Sequence, residues 1–116
     1  MSNFTIYHNP RCSKSRLTLD LLKGNGIDPK IVLYLENHLS EKNIVSLLKK
    51  LGQSARGLLR KGEQEYKDQK LADESKSENQ LIQAMVRCPK LIERPIVTKG
   101  DRAILGRPPE KVLNLI

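Results

Sequence analysis

The segment that most restricts the fold is residues 4–34, in which two β-forming stretches enclose one helical pattern. Residues 4–7 and 31–34 are rich in aromatic and β-branched side chains, which is typical of short strands. The helical pattern starts at Ser13 and ends at the turn-forming residues 24–26. Its predicted inward positions are Leu17, Leu21 and Leu22. A strand, a helix and a strand within about thirty residues predict a parallel βαβ unit.

Residues 40–90 predict a block of helices. Ser40 can cap a helix, and Ser77 with Gln80 forms a capping box before another helix that ends at Cys88. A shorter helix is expected over residues 54–59. The inward positions of the first helix are Ile44, Leu47, Leu48 and Leu51, the spacing of one buried face.

The last part of the chain predicts two strands and a final helix. Residues 96–98 and 103–105 read as strands, and residues 99–101 supply a glycine-containing hairpin turn between them. Pro108 and Pro109 suit the first turn of the final helix. The expected inward positions of that helix are Val112, Leu113 and Ile116. We therefore expect an α/β protein with a thioredoxin-like fold: one domain over residues 1–116, with a small mixed sheet, flanking helices and a helical insertion.

The charge and composition predict a soluble protein rather than a nucleic-acid or membrane protein. The formal net charge is +8, but the basic residues alternate with acids and form no tail or block. No apolar stretch is long enough to span a membrane, and the first residues lead directly into a strand, so no signal peptide is expected. Two cysteines are too few for a disulfide framework, which favours the cytoplasm and thiol chemistry.

Cys12 is the candidate nucleophile. It falls between the end of a predicted strand and the start of a helix, where free backbone N–H groups and the helix dipole stabilise a thiolate. Arg11, Lys14 and Arg16 add positive charge nearby. A small buried thiol is the other interpretation of an isolated cysteine, but the polar and cationic neighbours favour the reactive one.

Ser15 determines how a reactive Cys12 must complete its cycle. Dithiol redox proteins carry a second cysteine three residues after the first, which resolves the mixed disulfide internally. Here that position is Ser15. Cys12 therefore needs an outside thiol such as glutathione, and an outside reductant. Cys88 follows a predicted helix and is expected to be a spare thiol, with a resolving role as the alternative.

His8 lies four residues before Cys12 and is the candidate group that assists the thiol. It could do so through its charge or through a hydrogen bond. A turn histidine that faces solvent is the alternative interpretation, because the sequence does not show where the ring points.

Four motifs together resemble the arsenate reductase (ArsC) family of the glutaredoxin-dependent type, which has a thioredoxin-like fold. They span nearly the whole chain in the right order. The motifs are HNPRCSKSR at residues 8–16, LLRK at 58–61, ERPIV at 93–97 and GRPPE at 106–110. The R-C-S-K-S loop is most similar to a subgroup described as arsenate reductase-like.

The resemblance implies a role for each matching residue. Cys12 corresponds to the nucleophile that attacks arsenic, and His8 to the residue that assists it. Arg60, Arg94 and Arg107 correspond to the arginines that bind the oxyanion. Planar guanidinium groups suit this task, because they pair with tetrahedral oxyanions through two parallel hydrogen bonds.

The resemblance also implies the reaction partners and one backbone feature. The expected reaction is the reduction of arsenate to arsenite, with glutathione as co-substrate, glutaredoxin as reductant, and no bound cofactor or metal. The Arg94–Pro95 bond is expected to be cis, as thioredoxin-like folds have a cis-proline ahead of this strand. The loop differs from the A-C-G-T-S-R motif of the best-known members: Arg11 replaces Ala, and Ser13-Lys14 replaces Gly-Thr, which makes its entrance more cationic.

Two other functions fit parts of the sequence. A glutathione-dependent thiol oxidoreductase that does not act on arsenate would use the same Cys12 chemistry. Spx-type regulators, which bind RNA polymerase, resemble the same fold, but they carry a C-x-x-C switch near the N-terminus. The C-S-K-S sequence at residues 12–15 lacks its second cysteine.

Overall fold

The computed structural model describes residues 3–37 and 39–116 of the 116-residue chain. Two compact units emerge from the contacts within the chain. The first unit contains the residues up to 37 together with residues 94–116, and the second contains the residues between them. The expectation of a single domain over residues 1–116 stays a prediction.

The first unit is built on a four-stranded mixed sheet. Its strands are β1 (Phe4–Tyr7), β2 (Lys30–Val32), β3 (Ile96–Lys99) and β4 (Arg102–Leu105). They lie in the order β2-β1-β3-β4. β1 and β2 are parallel, as the βαβ pattern predicts, and β3 is antiparallel to both β1 and β4. The predicted hairpin is confirmed, with Gly100 at a φ of 60° in its turn.

Two helical elements pack against each other in this unit. Helix α1 (Ser13–Gly24) connects β1 to β2, and a 3-10 helix (Pro109–Leu115) follows β4. The buried core that they share with the sheet consists of Phe4, Ile6, Leu22, Val97, Val112 and Leu115.

The inward face of α1 differs from the prediction. Leu17 is 54% exposed, and the buried positions are Ser15, Thr18 and Leu22. The reason is close packing at the start of the helix. A Cβ atom added to Gly106 would lie 2.6 Å from Thr18 Oγ1, so the packing at position 18 leaves no room for a side chain as large as leucine.

The last helix also differs from the prediction, because it is 3-10 rather than α. A 3-10 helix has three residues per turn, so positions three apart share one face. Pro109, Val112 and Leu115 are accordingly buried, whereas Leu113 and Ile116 are 44% and 49% exposed. Val112 is the only one of the three expected inward positions that is buried.

The second unit consists of helices, as predicted for residues 40–90. They are α2 (Glu41–Leu51), α3 (Ala55–Leu58), α4 (Gln64–Asp68), α5 (Glu78–Arg87) and a 3-10 helix (Pro89–Leu91). Helix α5 packs against α2, α3 and the 3-10 helix. Both expected caps are present: Ser40 and Ser77 each accept a hydrogen bond from the third helical residue, and that residue's side chain accepts one in return. Helix α4 lies in the polar stretch for which the sequence predicts no element.

Among the described residues, two peptide bonds are cis, Arg94–Pro95 and Arg107–Pro108. The first confirms the sequence-based expectation, and the second was not predicted. Across residues 3–37 and 39–116, no helix combines the length and the apolar character needed to cross a membrane.

Candidate active site

Cys12 occupies the N-cap position of α1. β1 ends at Tyr7, and a tight turn follows, in which the Cys12 N–H donates to the Asn9 carbonyl oxygen at 3.0 Å. The Cys12 carbonyl oxygen then accepts the first helical hydrogen bond, from the Arg16 N–H at 3.0 Å. The thiol is partly exposed. Cys12 thus lies next to the free amide donors of the first helical turn, and it is partly accessible to reagents.

The charge around Cys12 is positive. Arg11, Lys14 and Arg16 are exposed, and the first turn of α1 contains no acidic residue. Arg16 is fixed against the turn, because its Nη1 donates to the Pro10 carbonyl oxygen at 2.9 Å. The helix dipole and these cations therefore present positive charge to an anionic substrate that approaches Cys12.

We expect iodoacetamide to alkylate Cys12 faster than Cys88 at neutral pH. Both thiols are partly exposed, but Cys12 lies at the positive end of a helix dipole, whereas Cys88 lies at the negative end of another, at the C-cap of α5. The opposed dipoles predict a rate ratio of about threefold to thirtyfold. The Cys88→Ser and Cys12→Ser variants isolate each thiol for the measurement. Equal rates would show that the helix start does not activate Cys12.

His8 is buried and belongs to a network centred on Ser15. His8 is 6% exposed and Ser15 is 0% exposed, so the interpretation of His8 as a solvent-facing turn residue is wrong. The His8 Nδ1 and Ser15 Oγ atoms are 2.6 Å apart, and the Asn9 N–H donates to Ser15 Oγ at 3.1 Å. The position of the absent second cysteine therefore holds a serine that connects the two residues following β1.

The hydrogen bonds of Ser15 determine which ring nitrogen of the neutral His8 carries the proton. Within residues 3–37 and 39–116, His8 Nδ1 is the one acceptor found for the Ser15 hydroxyl proton. Because a buried hydroxyl rarely forgoes its hydrogen bond, Ser15 donates to Nδ1, and the neutral ring carries its proton on Nε2. Burial lowers the pKa of His8 below 6.5, and the positive charges of Arg16 and Lys23 lower it further.

The lowered pKa of His8 predicts a pH-dependent stability. Above pH 6.5, histidine is neutral in both the folded and unfolded states, so its contribution is complete. As the pH falls below 6.5, the unfolded chain takes up a proton before the folded chain does. The free energy of unfolding should therefore decrease until the folded-state pKa is passed. Urea denaturation of the wild type and of His8→Gln at several pH values tests this. If the free energy of unfolding changed equally with pH in both proteins, the prediction would be contradicted.

Arg94 and Arg107 lie at the same edge of the sheet as Cys12. Tyr7 at the end of β1 pairs with Ile96 at the start of β3, and Ile96 pairs with Leu105 at the end of β4. Residues 94–95 and 106–107 therefore flank the edge from which the Cys12 turn leaves. Arg107 Nη1 donates to the Arg94 carbonyl oxygen at 3.1 Å, which joins the two segments.

Close packing brings these segments against α1. Gly106 N–H donates to the Pro95 carbonyl oxygen at 2.9 Å. A Cβ at Gly106 would lie 2.6 Å from Thr18 Oγ1 and 2.8 Å from Pro95 Cγ. Thr18 is about 8 Å along the helix from Ser13, so the arginine segments lie beside the first turns of the helix that Cys12 caps.

Arg60 belongs to the second unit and has carboxylate partners there. Its backbone N–H donates to the Leu91 carbonyl oxygen at 2.7 Å. Its Nη1 donates to Glu63 Oε1 at 2.9 Å, and its Nε lies 3.7 Å from Glu93 Oε1. The guanidinium is about one-fifth exposed. An oxyanion that binds Arg60 has to compete with Glu63, a feature that the sequence did not reveal.

Asn9 is a site residue that sequence reasoning missed. Its Oδ1 accepts from the Arg11 N–H at 3.0 Å, and its own N–H donates to Ser15. It therefore fixes the turn that carries Cys12. The signal was present: asparagine favours turns in which its side chain accepts from the backbone two residues later. The described residues contain no cluster of three or more His, Cys, Asp or Glu side chains that could hold a metal ion.

Comparison with known protein families shows to which family the chain is related. The family model described as "ArsC family" matches residues 7–115. The chain belongs to the ArsC family. This membership confirms the resemblance drawn from the four motifs, and the residues that match run from the end of β1 into the last 3-10 helix.

Individual relatives are similar over nearly the whole of this chain. The uncharacterized protein YfgD of Escherichia coli (strain K12) is 58% identical over 112 residues, which cover 96% of this chain and 94% of YfgD. An arsenate reductase of Escherichia coli is 45% identical over 116 residues, which cover 100% of this chain and 82% of that enzyme. Among solved structures, an arsenate reductase from Vibrio cholerae superposes with a TM-score of 0.95 at 46% identity and covers 97% of both chains. This structural match confirms the thioredoxin-like fold.

Proposed function

We propose that this protein is an arsenate reductase that reduces arsenate to arsenite through Cys12. The observation that carries the proposal is the position of this thiol. Cys12 caps α1 at the sheet edge where Arg94 and Arg107 also lie. Full-length similarity to proteins described as arsenate reductases supports the same reaction.

The first step is nucleophilic substitution at arsenic. The Cys12 thiolate forms a bond to As(V), and one arsenate oxygen leaves as water after taking up protons. A thiolate and an anionic substrate repel each other, so the arginines must neutralise the substrate charge. Arg94, Arg107 and Arg60 are the proposed oxyanion-binding residues, and Arg60 exchanges Glu63 for the oxyanion.

The second step transfers the electrons. A glutathione thiol attacks the arsenic adduct, the two sulfur atoms join as a mixed disulfide, and arsenic leaves as As(III) with the electron pair. Overall, one arsenate and two thiols give one arsenite, one disulfide and one water. Because Ser15 replaces a resolving cysteine, a second thiol protein must reduce Cys12, and glutaredoxin is the proposed partner. The cytoplasm, where thiols are kept reduced, is the proposed location of the reaction.

The proposed roles of His8 and Ser15 are positional. Ser15 holds the neutral His8 ring and the Asn9 backbone in place, and Asn9 in turn shapes the Cys12 turn. His8 assists Cys12 from this fixed position. With its pKa lowered, the ring stays neutral at pH 7 and acts as a hydrogen-bonding group rather than as a charge.

The deciding experiment is an arsenate reduction assay in which glutathione and glutaredoxin are both supplied. We expect arsenite to form, and each thiol component to be required. If glutathione and glutaredoxin reduce mixed disulfides of Cys12 but no arsenite forms, the protein is a thiol oxidoreductase that acts on a substrate other than arsenate. If neither reaction occurs and RNA polymerase co-purifies with the protein, the regulator alternative is correct.

A further inference from the structure

A cavity of about 280 Å³ in the first unit lies beside the turn that ends at Cys12. It is smaller than most sites for drug-sized ligands and suits a group the size of one or two amino acids. The lining residues come from the turn itself and from the loop after β2. They are His8, Asn9, Pro10, Arg11, Leu33, Leu35 and Glu36.

Two buried side chains keep hydrogen-bond donors available at this cavity. His8 and Asn9 are both more than nine-tenths buried. The Ser15 bond occupies His8 Nδ1, and the Arg11 N–H bond occupies Asn9 Oδ1. In the described part of the chain no partner is found for His8 Nε2 or Asn9 Nδ2, and neither atom is sealed from solvent. Both donors are therefore available to a ligand that enters the cavity and displaces water from them.

The charges at the cavity have opposite signs. The positively charged side is Arg11, which is exposed, and the negatively charged side is Glu36, also exposed. Pro10, Leu33 and Leu35 supply apolar surface between them. A complementary ligand has a carboxylate for Arg11 and the two donors, an ammonium group for Glu36, and a short aliphatic stem.

The ligand must also deliver a thiol to Cys12. Ser15 leaves Cys12 dependent on an outside thiol, and Asn9, which lines the cavity, is within about 7 Å of Cys12 across the turn. The γ-glutamyl group of glutathione has a carboxylate, an ammonium group and two methylenes. Its α-carbon is separated from the cysteine residue by about two residue lengths, or roughly 7 Å.

We propose that this cavity is the recognition site for the γ-glutamyl end of glutathione, and that it directs the glutathione thiol to Cys12. Arg11, His8 Nε2 and Asn9 Nδ2 bind the carboxylate, and Glu36 binds the ammonium group. This inference rests on the proposed function for the use of glutathione. It adds a binding site to that function, and it makes Arg11 and Glu36 the residues that distinguish glutathione from other thiols.

The test measures binding of S-methylglutathione, which cannot react, by isothermal titration calorimetry. We expect Glu36→Gln and Arg11→Gln each to weaken binding about fivefold or more. Glu110→Gln is the matched control, because Glu110 is exposed, belongs to the same unit and does not line this cavity. S-methylcysteinylglycine, which lacks the γ-glutamyl group, should bind more weakly, and Glu36→Gln should not change its affinity.

Kinetics supply a second measurement. In the arsenate assay, Glu36→Gln should raise the KM for glutathione while turnover with dithiothreitol, a neutral thiol, is unchanged. Unaltered affinity in both cavity variants, or equal binding of the two S-methylated peptides, would overturn the proposal. Binding that follows the expected pattern without any arsenite formation would support the cavity and refute the proposed substrate, so the two failures are distinguishable.

Discussion

Replacement of Cys12 by serine is expected to abolish arsenate reduction, with a loss in kcat of about a thousandfold or more. Serine preserves the size of the side chain and the N-cap position, but its hydroxyl does not ionise near neutral pH and cannot form a disulfide. Both chemical steps therefore fail. The measurement is arsenite formation with saturating glutathione and glutaredoxin, and circular dichroism confirms that the variant is folded.

Cys88→Ser is the matched control for this substitution. Cys88 lies at the C-cap of α5, in the second unit, and it is partly exposed as Cys12 is. We expect Cys88→Ser to retain at least about half of the wild-type kcat, since an outside thiol resolves Cys12. A comparable loss in both variants would identify Cys88 as the resolving thiol and refute the external-thiol scheme.

The elements predicted best are those that local signals determine. Ser40 and Ser77 begin helices because their hydroxyls accept from backbone N–H groups that have no partner within the helix. The parallel β1–β2 pair follows from the length of the connection between them, since a single helix is the usual crossover. Such signals act over short stretches of the chain, so a single sequence is enough to recognise them.

The elements predicted poorly depend on tertiary contacts. Leu17 has the spacing of a buried residue, but the contact of Thr18 with Gly106 and Pro95 turns another face of α1 inward. Leu113 is exposed because the last helix is 3-10, which its sequence does not reveal. For Leu17 the deciding neighbours, Pro95 and Gly106, are distant in sequence.

The candidate site shows the same division. Residues 11–16 alone predict the reactive thiol, the absence of a second cysteine and the cationic turn. The tautomer of His8 cannot be predicted from the sequence, because it depends on Ser15 being buried with one acceptor for its proton. The ion pair of Arg60 with Glu93 cannot be predicted from the sequence either, because Glu93 lies more than thirty residues away along the chain.

The second large effect is expected from conservative changes to the proposed oxyanion-binding arginines. Arg94→Lys and Arg107→Lys should each lower kcat/KM for arsenate about tenfold to a hundredfold, because lysine keeps the charge and loses the planar pair of donors. Arg60→Lys should have a smaller effect, since Glu63 already competes for this guanidinium. The free energy of unfolding should change little in all three, because the charge is retained.

Each unit offers a control arginine with a structural hydrogen bond and no proposed part in catalysis. Arg102→Lys serves the first unit, where Arg102 donates to the Asn114 carbonyl oxygen, and Arg56→Lys serves the second, where Arg56 donates to Leu71 and Asp73 carbonyl oxygens. Both should leave kcat/KM for arsenate unchanged. If Arg94→Lys and Arg107→Lys behave like Arg102→Lys, charge alone suffices at these positions, and bidentate binding of the oxyanion by these two arginines is refuted. If Arg60→Lys shows the largest loss, Glu63 does not compete for the guanidinium during catalysis, and the ion pair seen in the second unit opens when the oxyanion arrives.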